Sequence, residues 1–204
     1  MVLEIFEDLE KLRGRQAGLI LQEHCKKSAV IIPLIKREDG IDVLFEVRSG
    51  KVGRQPGDVC FPGGKMIRGE TPEQTAVREC CEELLIDPSQ LAIVCEADLF
   101  HNANTLIYPF AAYLGSYDGS FSDSEVAEVF TVPLEFFQNT EPLVYDAEMR
   151  MVKKDDFPYH LIVGGENYKW PVRIDKELFY EYEGHVVWGI TARIINSFVK
   201  LLGK

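Results

Sequence analysis

Three glutamates, Glu79, Glu82 and Glu83, stand at i, i+3 and i+4 in the run Arg78-Glu79-Cys80-Cys81-Glu82-Glu83-Leu84. On a helix that spacing brings all three carboxylates to one face, within about one turn. Like charges so placed repel by about 0.2–0.5 kcal/mol per pair, so a plain helix gains nothing from them. A hard divalent cation would convert the repulsion into attraction, and a ligand set made only of oxygen suits Mg²⁺ or Mn²⁺. Mg²⁺ typically takes one or two carboxylates together with waters and substrate phosphate oxygens. The plain alternative is a solvated acidic face on a surface helix. What speaks against it is the company the glutamates keep: a glycine turn at Gly63-Gly64, then Glu70 and Arg78 at fixed distances.

Such a site needs a helix with a defined start, and the sequence supplies one. Thr71 can cap it, Pro72 fits its first turn, and Gln74 completes a Thr-x-x-Gln capping box; Asp87-Pro88 closes the far end. Upstream, residues 29–35 and 41–47 read as strands around Glu38-Asp39-Gly40, a hairpin signal. A loop with Gly50, Gly53, Pro56 and Gly57 leads to a short strand, Val59-Cys60-Phe61, and the turn Pro62-Gly63-Gly64. Downstream, residues 91–99, 106–114 and 126–132 read as strands and 133–138 as a short helical turn. An amphipathic N-terminal helix is expected over about 2–24 (Leu3, Phe6, Leu9, Leu12). A C-terminal helix is expected over about 188–202, with Ile190, Ile194, Ile195, Phe198 and Leu202 on one face. Residues 140–185 are aromatic-rich and show no clear period. Strands mixed with helices predict an α+β chain, an α/β/α sandwich with a mixed sheet between helices, forming one domain over 1–204.

Composition narrows the classes of partner. The formal net charge of −11 disfavours nonspecific binding to nucleic acid or an anionic membrane, which depends on clustered Lys and Arg. It does not exclude a phosphate-bearing small molecule, because carboxylates that hold a metal present its positive charge to phosphate. No apolar run approaches a membrane span, and the N-terminus lacks the features of a secretion signal. A cytoplasmic protein with five reduced cysteines is the expectation. His101, His160 and His185 show no metal-like pairing, and they are expected in loops or packing. Tyr145, Phe157, Tyr159, Tyr168, Trp170, Tyr180 and Tyr182 could stack on a base, but core packing is the simpler expectation.

The segment from Gly64 to Ile86 resembles the Nudix box: Gly, five residues, Glu, seven residues, Arg-Glu, an apolar and any residue, Glu-Glu, any residue, Gly, apolar. Gly64, Glu70, Arg78, Glu79, Cys80, Glu82, Glu83 and Ile86 stand in register, and Leu85 replaces the usual Gly. That Gly ends the helix in a left-handed conformation that Leu adopts less readily, which puts the helix exit in question. The resemblance implies a Nudix fold and hydrolysis of a diphosphate in a nucleoside diphosphate derivative, with Mg²⁺ or Mn²⁺ as cofactor. Glu79, Glu82 and Glu83 would be metal ligands, joined by the Gly64 backbone. Arg78 and Glu70 would pair and hold the loop to the helix, while Gly63 and Gly64 admit close approach of metal and phosphate. The general base stays open between a box glutamate and a downstream one, Glu125 or Glu128.

A second resemblance, to the coenzyme A pyrophosphatases of that family, rests on Arg48, Ser49, Gly57 and Phe61-Pro62-Gly63-Gly64, and on Trp188-Gly189-Ile190-Thr191-Ala192. Two departures stand out: Gly53 holds the place of the middle Arg, with Arg54 following, and Leu44-Phe45-Glu46 replaces the usual Leu-Leu-Thr start. Arg48, Lys51 and Arg54 would set cations beside the glycine turn for substrate phosphate. The implied reaction splits coenzyme A or its derivatives into 3′,5′-ADP and 4′-phosphopantetheine. The competing expectations are the same chemistry on ADP-ribose, NADH or dinucleoside polyphosphates, and a nucleotide-sensing domain without catalysis.

Overall fold

The computed structural model describes residues 10–14, 20, 24–51, 53, 55–102 and 104–203. The helix expected over about 2–24 falls largely outside them, as does Arg54. Two long apolar strands open the described core, β1 (Lys26–Lys36) and β2 (Ile41–Arg48). They form the expected hairpin, closed where the Arg37 N–H donates to the Gly40 carbonyl at 2.9 Å. After β3 (Val59–Cys60), Gly63-Gly64 does more than turn. Gly63–Lys65 forms β4, which pairs antiparallel with the N-terminal half of β1 through Val30↔Gly63 and Ala29↔Gly64.

Helix α1 (Pro72–Leu84) starts on the expected box: the Gln74 N–H donates to Thr71 Oγ1 at 3.2 Å, and the Thr71 N–H to Gln74 Oε1 at 2.9 Å. Such a cap is worth about 1 kcal/mol. The remaining elements of the large sheet are β5 (Leu91–Glu96), β6 (Phe100–Asn102), β7 (Thr105–Leu114) and β8 (Val126–Pro133). The sheet order is β3-β2-β1-β7-β5, with β4 on β1, β6 on β7 and β8 on β2; β1 and β7 run parallel and make it mixed.

Strand alternation sorts side chains to two faces. Ala29, Ile31 and Leu44 pack with Ala76, Cys80 and Leu84 of α1. Ile32, Leu34, Val43 and Phe45 pack on the opposite face with Phe137 of α2 (Leu134–Asn139) and with Ile194, Ile195 and Phe198 of α3 (Gly189–Leu201). Helices thus flank the sheet, as expected. Burying one side chain such as Leu84 contributes about 2 kcal/mol.

Two expectations are corrected, and a stretch left without an assignment gains one. The stretch 140–185, where no period was legible, holds β9 (Leu143–Met149) and β10 (Arg173–Tyr182), which join β11 (His185–Trp188) in a second, antiparallel sheet. On α3 the buried face is carried by Thr191, Ala192, Ile194, Ile195, Phe198 and Val199, while Ile190 and Leu202 are exposed. Of the seven aromatics expected in packing, Tyr180 is core, whereas Tyr145 and Tyr168 are exposed.

Candidate active site

The three glutamates of α1 share a face, yet each takes a different environment. Arg78 lies at the centre of the outer part. Its Nε and Nη2 grip Glu70 at 2.8 and 3.1 Å, and its Nη1 donates to Glu79 at 2.8 Å and Glu82 at 3.2 Å. Thr75 Oγ1 adds a bond to Glu70 at 2.7 Å. The Arg78 and Thr75 hydrogen bonds hold the Glu70 carboxyl down at about 2, so it stays ionised. The expected Arg78–Glu70 pair is therefore present, and it fixes the loop before the helix to the helix itself. Glu82 faces solvent, its side chain 59% exposed.

Glu83 turns the other way. It is 4% exposed, and its Oε2 accepts the Gly63 N–H at 2.7 Å. Burial pushes its carboxyl up to about 9, with the charge of Glu46 next in effect and the charges of Glu79 and Glu125 in the same sense. Glycine is required at Gly63, where a Cβ would meet backbone, while at Gly64 it leaves the room that the Glu79 carboxylate occupies. A Cβ on Gly63 would lie 2.4 Å from the Ala29 carbonyl oxygen, and one on Gly64 would lie 2.3 Å from the Glu79 carboxyl carbon.

Sequence reasoning passed over Glu46. With Leu44 packed toward α1 and Phe45 toward α3, alternation directs Glu46 to the α1 face, beside Glu83. It is 1% exposed; its Oε1 accepts the Cys60 thiol at 3.2 Å, and among the described residues its buried Oε2 has no hydrogen-bond partner. Burial raises its carboxyl to about 7, against a lowering influence from the Cys60 hydrogen bond and from Arg48. The signal was available: an acid on the inward parity of a strand otherwise rich in apolar residues.

The chain's own hydrogen bonds also place the downstream acids. The Ser122 N–H donates to the Glu83 carbonyl at 2.8 Å and the Ser49 N–H to the Glu125 carbonyl at 2.8 Å, so the turn carrying Glu125 is tied to both α1 and the end of β2. Glu128 is engaged elsewhere: its carboxylate meets His185 Nε2 at 3.1 Å, and that ring stacks on Phe130 with centroids 3.8 Å apart. Among the cations, Arg48 lines a cleft of about 760 Å³ that opens beside Gly63 and Gly64, together with Lys26 and Lys65, which sequence reasoning did not single out. Lys51 does not line it; its ammonium donates to the Asp123 carbonyl at 3.2 Å. Trp188, which also lines the cleft, stacks on Phe179, rings 5.8 Å apart and 5° from parallel. Thr191 Oγ1 donates to the Val59 carbonyl at 3.0 Å, which fastens α3 to the strand leading into Phe61-Pro62-Gly63-Gly64.

The donor set suits a hard divalent cation. Glu46 and Glu83 are buried carboxyls that would repel when both are ionised, Glu46 Oε2 has no hydrogen-bond partner among the described residues, and a cation would relieve both costs. Among the described residues, no three His, Cys, Asp or Glu side chains stand already arranged as a metal cage; Arg78 holds Glu79 and Glu82, and Gly63 holds Glu83.

A capped helix bearing these glutamates, a glycine turn fastened to it and a mixed sheet between helices define a Nudix domain, and the NUDIX domain family model matches residues 26–152. The chain belongs to the Nudix family, whose members generally use divalent metal ions. Among relatives, it is 36% identical over 138 residues to the peroxisomal coenzyme A diphosphatase NUDT7 of Mus musculus, a match covering 66% of this chain and 57% of that protein. It is 30% identical over 199 residues to the mitochondrial coenzyme A diphosphatase NUDT8 of Homo sapiens, covering 94% of this chain and 72% of that one. This chain therefore spans little more than half of the mouse relative's length. In fold it is similar to a MutT/nudix family protein from Enterococcus faecalis, with TM-score 0.52 at 14% identity, over 100% of this chain and 70% of the other.

Proposed function

We propose that this protein hydrolyses the diphosphate of coenzyme A or its derivatives, with Mg²⁺ or Mn²⁺, to 3′,5′-ADP and 4′-phosphopantetheine. The observation that carries this reading is the Gly63-Gly64 turn, which holds Glu83 through the Gly63 N–H, packs against Glu79 and lines a cleft together with Lys26, Arg48 and Lys65. The cleft's volume is of the order that encloses a small organic ligand. Two relatives named as coenzyme A diphosphatases support the choice of substrate.

Glu79, Glu82 and Glu83 would hold the ion, Glu82 after release from Arg78. When bound, the ion supplies positive charge that stabilises the phosphate oxygens as the anhydride breaks and helps water lose a proton. Arg78 sets the direction of Glu79 through its grip on Glu70, and the Gly63 N–H sets that of Glu83. Gly64 leaves room for the Glu79 carboxylate against the turn. We assign removal of the water proton to Glu125 in preference to Glu128. Glu125 stands near enough to act on Glu83 and Glu46 by charge, whereas Glu128 is engaged with His185. Arg48, Lys26 and Lys65 would meet the substrate's phosphates, with Arg54 a further cation for the 3′-phosphate.

The test is a panel of coenzyme A, its 3′-dephospho form, ADP-ribose, NADH and a dinucleoside polyphosphate, each with Mg²⁺ and Mn²⁺. Coenzyme A should show the highest kcat/KM. A far higher value for ADP-ribose or NADH would sink the substrate assignment, and nucleotide binding without turnover on any member would point to a sensing domain. No helix among the described residues is long and apolar enough to cross a membrane. The cytoplasmic placement stays a proposal beside relatives named peroxisomal and mitochondrial, and imaging of a tagged full chain decides it.

A further inference from the structure

We propose that Glu46 is a further carboxylate of the cation site, offered by strand β2 to the ion that Glu79 and Glu83 hold from α1. The inference rests on the metal-dependent reading above and adds to it a residue from outside the helical motif. Its first support is position. Leu44 and Glu46 share one strand parity, and Leu44 packs against Ala76, Cys80 and Leu84, so the Glu46 side chain enters the layer between sheet and α1.

The second support is an unmet bonding capacity. Glu46 is 1% exposed; its Oε1 is occupied by the Cys60 thiol, and its Oε2 is buried with no hydrogen-bond partner among the described residues. A buried carboxylate oxygen without a donor is rare, and it calls for a partner that the protein alone does not provide. The third support is its neighbours. Of the charges acting on Glu83, that of Glu46 has the largest effect, ahead of Glu79. Carboxyl oxygens delivered from two elements to one buried layer are the chemistry that a hard divalent cation satisfies once their protons are released.

The experiment is Mn²⁺ binding to the full chain by calorimetry and by loss of the free-ion electron-spin signal, with thermal unfolding measured with and without Mn²⁺ at one fixed pH. Glu46→Gln keeps the shape and removes the charge. It should weaken Mn²⁺ binding by at least about tenfold, raise the metal-free melting midpoint, and shrink the rise that Mn²⁺ produces. Glu46→Thr, which cannot misplace a long amide, should lose Mn²⁺ affinity likewise. A structural role would do the reverse: a lower metal-free midpoint with Mn²⁺ affinity unchanged in both variants, and that result overturns the proposal. Wild-type chain that binds no Mn²⁺ would overturn the metal-dependent reading as well. Wild-type binding lost in Glu83→Gln but intact in both Glu46 variants sinks only the assignment of Glu46.

Discussion

Stripped of divalent cations, the protein should lose stability as pH rises from about 5 to about 9. The cause is Glu83, whose ordinary value of 4.5 is pushed up to about 9 by burial and by the charge of Glu46. The unfolded chain releases that proton above pH of about 4.5, whereas the folded chain keeps it. More protons are then bound in the folded state, so its stability is complete at low pH and declines until pH passes the folded value. At about 1.4 kcal/mol per unit, the displacement sets a ceiling of about 6 kcal/mol. Water entry and small movements of the carboxylates lower the effective penalty, so a loss of about 3 kcal/mol is expected. For a chain of this size that is roughly 6–12 °C in Tm. Glu46, raised to about 7 by its burial, acts in the same direction. The assay is urea unfolding followed by tryptophan fluorescence in a chelator, over a pH series at constant ionic strength. Glu83→Gln should flatten the profile, and Mn²⁺ should restore stability at the alkaline end in the wild type. A wild-type profile that is level over this range, or a Glu83→Gln profile as steep as the wild type, would refute the placement of Glu83 in a buried, like-charged site.

Three other outcomes follow from the same geometry. Glu83→Gln should lower kcat on the best panel substrate by at least about a hundredfold with the circular dichroism spectrum intact, since it removes charge from the metal site; rates within a few-fold of wild type would exclude it from the site. Arg78→Lys keeps the charge but cannot hold Glu70 with two nitrogens while directing Glu79, so kcat should fall by about tenfold or more with KM changed less. A rise in KM alone would contradict a positioning role for that arginine. Leu85 sits at φ 52° and ψ 43° with its side chain 59% exposed, so Leu85→Gly should relieve left-handed strain and raise Tm. The gain is expected at about 1 kcal/mol, read by differential scanning calorimetry with turnover unchanged. A drop in Tm would show that the helix exit is held by side-chain contacts.

Leu85 also shows how far a local pattern reaches. Its place at the end of the motif raised the question of whether the helix could exit there, and the structure answers that it does, with Leu in the left-handed conformation. The surrounding fold supplies the stabilisation that the residue type does not. The hairpin and the capped helix were legible because each depends on neighbours in sequence, turn residues and a capping box; the pairing of Arg78 with Glu70, eight residues apart, was implied only by the resemblance of the whole Gly64–Ile86 segment. The second sheet was hidden because β9 and β10 expose many apolar residues, Leu143, Val144 and Ile174 among them, so neither shows clean alternation.

For this chain, short-range spacing alone determined which helix carries the acids, where it starts and what kind of ion its carboxylates suit, since three carboxylates on one helical turn are juxtaposed by helix geometry itself. The tertiary structure decided which acids are inside. Packing of α1 onto β1 and β4 buries Glu83 and leaves Glu82 in solvent, and strand pairing delivers Glu46 from β2 to the same buried layer. The same packing drew Glu125 toward that layer and left Glu128 to His185. Residues far apart in sequence meet only through sheet register, and a carboxylate's charge state follows from the desolvation that such meetings impose.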